Sequence, residues 1–96
     1  MANFTVRVEL HNAQRSDYDQ LHSAMERKGF SRQITSDNGK TYQMPWAEYN
    51  GTAALTSSQV RDIAKTAADT TGKKNSIFVT EAASRAWIGL TELTAA

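Results

Sequence analysis

The sequence predicts an α+β two-layer sandwich of ferredoxin-like order, β-α-β-β-α-β, with an antiparallel sheet and an extra C-terminal strand. Three observations predict it. Phe4, Val6, Val8 and Leu10 alternate with Thr5, Arg7 and Glu9, the period of a strand buried on one face. Two later segments have apolar residues at helical spacing behind capping signatures. Glycines and an Asn-Gly turn punctuate the short β-rich runs. In this arrangement both helices cover one sheet face. The other face is left to water, a ligand or a second subunit. A plain two-layer α+β sandwich of other topology is the main alternative.

His11 and Asn12 end the first strand. Ser16, with Asp19 three residues on, resembles a capping box, and Asp17 and Asp19 suit the positive end of a helix dipole. Tyr18, Leu21, His22 and Met25 fall on one helical stripe, and Gly29 ends the helix in the left-handed region. Phe30–Thr35 reads as a second strand, and Ser36-Asp37-Asn38-Gly39 as a type I′ hairpin turn. The return strand begins at Lys40 and meets Pro45, which lacks the N–H of a ladder position. The alternation resumes with Ala47, Tyr49, Gly51 and Ala53, shifted by one as a bulge requires. One long bent strand is expected, its second half central in the sheet. Thr56-Ser57-Ser58-Gln59 is a second capping box. Val60, Ile63, Ala64 and Ala67 form the stripe of the second helix, and Gly72 closes it. Ser76–Thr80 and Arg85–Leu90 read as the last two strands.

The chain has 96 residues, so a single domain over 1–96 is expected. Its net charge of +1 excludes a polybasic tail and an acidic solvating segment. With no cysteine there is no disulfide framework, thiolate nucleophile or Cys-zinc site. The apolar stretches are short, so no membrane partner is expected. The N-terminus lacks the apolar core of a signal peptide, which makes the cytoplasm the expected compartment.

His11 and His22 are the only histidines, and imidazole titrates near neutrality when unperturbed. His11 stands where a strand gives way to a loop, a place for a general acid or base. His22 reads more simply as a half-buried residue packing on the sheet. Asp17 and Asp19 are explained by helix capping, and the carboxylates show no metal-ligand spacing, so no metal or cofactor is expected. Arg7, Arg32 and Arg85 lie in strand segments, where charged side chains belong on the open face. With Lys73 and Lys74 they could form a patch that grips phosphate. The bland alternative is a solvated sheet face. Trp46, Trp87, Tyr42 and Tyr49 are many aromatics for a small core, and exposed ones suit a dimer interface or a base-stacking platform.

Four segments carry a family resemblance: Ala2–His11, the Lys28-Gly29-Phe30-Ser31-Arg32 helix exit, Asp37–Tyr42 running through Pro45 to Ala47–Gly51, and Val79-Thr80-Glu81 with Arg85 and Trp87. Together they resemble the small bacterial proteins grouped with the GhoS-type antitoxin endoribonucleases, over nearly the whole chain. The resemblance implies a ferredoxin-like fold similar to that of the Cas2 nucleases. It also implies a type V antitoxin that cleaves the messenger of a membrane-toxin partner, with RNA and not DNA as the nucleic acid. Cas2-like nucleases typically end the first strand with an aspartate. Here the strand ends in His11-Asn12, a departure that argues against a copied metal-dependent mechanism. Metal-independent cleavage is then the simplest chemistry, with His11 as base or acid and Arg7, Arg32 or Arg85 holding the phosphate. The competing reading is a non-catalytic homodimer that binds RNA or protein through its open sheet face.

Overall fold

The computed structural model describes residues 1–93 of the chain. In order it comprises β1 (Ala2–Leu10), α1 (Arg15–Arg27), β2 (Gln33–Thr35), β3 (Thr41–Gln43), β4 (Glu48–Ala53), α2 (Ser57–Asp69), β5 (Asn75–Ala82) and β6 (Glu92–Leu93). This is a mixed α+β fold with two small antiparallel sheets, β4-β1-β5 and β2-β3-β6. A bridge between Ser31 and Asn50, closed by backbone hydrogen bonds of 2.9 and 2.7 Å, lays the chain entering β2 beside β4.

The alternation of β1 does what its period requires. Phe4, Val6, Val8 and Leu10 are buried against the helices, together with Tyr49 of β4. Leu21, Ala24 and Met25 of α1 and Val60, Ala64, Ala67 and Ala68 of α2 close over them. Each fully buried large apolar side chain contributes roughly 1.5–3 kcal/mol relative to exposure. The opposite face of this sheet carries Thr5, Arg7 and Glu9 of β1, Glu48 and Asn50 of β4, and Ser76, Phe78 and Thr80 of β5. The register places Arg7 between Phe78 and Glu48, and Thr5 between Thr80 and Asn50.

Several elements differ from the sequence-based expectation. The helix α1 starts earlier, with Gln14 as its extended N-cap. The Gln14 N–H donates to the Asp17 carboxylate at 2.9 Å, so Asp17 and not Asp19 closes the box. The long bent strand is two strands in two sheets. The Glu48 N–H donates to the Pro45 carbonyl at 3.0 Å, and Ala47 takes a left-handed φ of 61°. That tight turn separates β3 from β4 where a bulge was expected, and the middle strand of the larger sheet is β1. In the hairpin only Gly39 has positive φ, so Asp37-Asn38 form an ordinary turn followed by a glycine bulge, not a type I′ turn. Arg85–Leu90 is not a strand: Gly89 has a left-handed φ of 80° and the Arg85 side chain turns onto the sheet. The extra strand is Glu92–Leu93, paired with Thr41 and Tyr42.

Candidate nucleic-acid interface

The open face of the larger sheet has two ends. At one, β1 gives way to an Asn12 turn of φ 53°, and the His11 N–H donates to the Lys74 carbonyl at 2.8 Å. This ties the His11 loop to the start of β5. The His11 Nε2 lies 3.0 Å from the Ser76 hydroxyl, and its Nδ1 lies 3.8 Å from the Glu9 carboxylate. His11, Glu9, Lys74 and Ser76 are all exposed. Next along the face come Arg7, which is exposed, and Phe78, whose side chain is 69% exposed.

At the other end the chain leaving β5 folds over the sheet. Arg85 Nη1 donates to Asn50 Oδ1 at 2.5 Å and approaches the Thr5 hydroxyl at 3.4 Å. Burial pushes the Arg85 pKa down, and no carboxylate among the described residues pairs with it. Six residues of strand separate Thr5 from His11, about 20 Å. Arg85 and His11 therefore cannot act on one phosphate.

The remaining expected residues go elsewhere. Lys73 turns away to Asp17, at 3.9 Å. Arg32 is not on the open face. Its guanidinium lies 4.9 Å from the centre of the Trp46 ring, which packs on Tyr18 and His22 of α1. The reason is parity: Ser31 bridges to Asn50, so the next residue points to the helix side. His22 is buried, as its place on the α1 stripe suggests, and its Nδ1 lies 2.6 Å from the Tyr49 hydroxyl. Burial, then the nearby Arg32 charge, lowers its pKa to about 4, and burial raises that of Tyr49. Two buried polar atoms in this cluster, His22 Nε2 and Arg32 Nε, have no hydrogen-bond partner among the described residues.

Sequence reasoning missed Ser76 and Phe78. The signal was present in the period-two pattern of β5, whose Ile77 and Val79 pack on the core and leave Ser76, Phe78 and Thr80 outward. No group of three or more His, Asp or Glu side chains able to hold a metal ion gathers among the described residues. None of their helices is long and apolar enough to cross a membrane.

No curated protein matches this sequence. A family model described as Endoribonuclease GhoS matches residues 1–87. The matched span takes in β1 with His11, both helices, β5 and the chain that carries Arg85 back over the sheet, and with that coverage the chain belongs to the GhoS endoribonuclease family.

Proposed function

We propose that the protein is a metal-independent endoribonuclease acting as a type V antitoxin on a toxin messenger, and that single-stranded RNA lies along β1 on the open sheet face. The observation that carries this reading is the exposed His11–Ser76 pair, 3.0 Å apart, at the end of a face that also bears Arg7 and Phe78. His11 Nδ1 takes the proton of a 2′-hydroxyl while its Nε2–H donates to the Ser76 hydroxyl. The 2′-oxygen then bonds to the adjacent phosphorus, the bond from phosphorus to the 5′-oxygen breaks, and the leaving oxygen takes a proton from solvent. Ser76 orients the imidazole, while Arg7 and the Lys74 ammonium stabilise the extra charge on the phosphorane. Phe78 offers a ring for base stacking. The family match supports the activity.

The order β5-β1-β4, with Ser31 bridged to the outer side of β4, supports a ferredoxin-like arrangement. An RNA substrate supports the cytoplasm as the place of action.

The test is incubation of the purified protein with single-stranded and structured RNAs, with and without EDTA, beside His11→Ala. Cleavage that survives EDTA and falls at least about 100-fold in the variant is expected. Undiminished cleavage by His11→Ala removes His11 from the mechanism. Absence of cleavage by the parent protein favours the second reading, a non-catalytic homodimeric binding module. That reading is supported by Phe78, exposed on an outer strand of the larger sheet.

A further inference from the structure

The two sheets are joined at the Ser31–Asn50 bridge and diverge away from it. Between them, beneath the chain from Ala82 to Trp87, runs an open cleft of about 590 Å³. Its walls include Tyr42 of β3 and Trp87, both half-buried, with ring centres 5.7 Å apart. Asn3 of β1 and Asn38 of the hairpin turn also border it, with Arg85 at one side and Asp37 on the turn. We propose that this cleft is a nucleotide subsite: one base of single-stranded RNA seats against Tyr42 and Trp87, and its phosphate pairs with Arg85.

Four features carry the assignment. The volume falls within the usual range for small-ligand pockets, roughly 300–1,000 Å³. Aromatic walls at a polar cleft suit a base, which stacks on a ring through its π-face and is worth about 1–3 kcal/mol per base. The two asparagines contribute unspent donors. Asn3 Oδ1 accepts from the Thr52 hydroxyl, and Asn38 Oδ1 accepts from the Lys40 N–H. Their amide NH2 groups make no hydrogen bond among the described residues, and such donors suit base carbonyl oxygens. Last, among the described residues Arg85 is a half-buried cation held only by neutral acceptors, Thr5 and Asn50, through one nitrogen. A guanidinium in that state has donors left for a phosphate, in the geometry that binds phosphate oxygens in pairs. Asp37 bears the opposite charge and repels a second phosphate, so the subsite takes one nucleotide and not a longer stretch.

The subsite rests on the reading of the protein as an RNA-directed enzyme and adds to it a grip about 20 Å from the cleaving end of the face. Substrates long enough to reach from one to the other are then favoured over dinucleotides.

The test uses a 2′-O-methyl hexaribonucleotide, which the proposed 2′-hydroxyl chemistry cannot cut, titrated into the Trp46→Phe protein so that Trp87 is the sole tryptophan reporter. Binding is expected to quench its fluorescence. Arg85→Gln is expected to weaken binding about tenfold or more. Asp37→Asn, at an exposed position, is expected to tighten it two- to fivefold, a gain that misfolding cannot imitate. Unchanged affinity in both variants overturns the subsite while His11-dependent cleavage of ordinary RNA leaves the enzyme reading standing. Failure of the parent protein both to bind the probe and to cleave RNA overturns the two together.

Discussion

Folding holds the His22 imidazole at a pKa of about 4, because burial penalises its charge and the Arg32 guanidinium opposes it. The unfolded chain binds this proton near pH 6.5, whereas the folded chain binds it only near pH 4. His22 therefore favours the folded state fully above pH 6.5, and that advantage drains away as pH falls toward 4. Urea unfolding measured across this window is expected to show a loss of roughly 2 kcal/mol, absent in His22→Gln. The burial of His22 was legible at helical spacing on α1. Its partner was not, because Tyr49 lies 27 residues away in another element and nothing local announces it. Arg32 is the converse case. A charged residue in a strand segment reads as solvent-facing, but the Trp46 ring gives its guanidinium a favourable surface on the helix side. Only the tertiary pairing of Ser31 with Asn50 decides that parity.

At the scale of elements, close packing of β4 on the helix exit depends on one missing methyl group. A Cβ on Gly51 would overlap the buried ring of Phe30 and come within 3.1 Å of the Gly29 carbonyl oxygen. The φ of Gly51 is one that any residue adopts, so the cost is one of overpacking. Gly51→Ala is expected to lose roughly 1–3 kcal/mol, read as a fall in Tm of about 4–8 °C for each kcal/mol. The helix α2 was readable nearly to the residue, since its box is local. The Gln59 N–H donates to the Thr56 hydroxyl at 3.2 Å, and the Thr56 N–H to the Gln59 side chain at 2.8 Å. The break between β3 and β4 was not readable, because it turns on a left-handed Ala47, a conformation alanine disfavours in isolation. Here the surroundings hold it: Ala47 is buried and its carbonyl accepts from the Val8 N–H at 3.1 Å. The same blind spot hid the cleft, since Tyr42 and Trp87 meet only once the chain after β5 folds back as a non-strand segment.

For the whole molecule, a net charge of +1 leaves little long-range attraction for a polyanion. The proposed affinity for RNA then rests on a few placed cations. If Arg7, Lys74 and Arg85 each meet one phosphate, the logarithm of the binding constant should fall against the logarithm of salt concentration with a slope of about −2. A slope near zero would show that these cations meet no phosphate. The face that carries them joins the beginning of the chain to its far end: β1 is flanked by β4 and β5, and Arg85 arrives only after β5 is complete. Contacts so distant in sequence form late in folding. No N-terminal fragment that stops before Arg85 holds that face, so a ribosome must translate past Arg85 before it can form. Until then Arg85 is not seated on the sheet, so the finished face is a property of the completed fold alone.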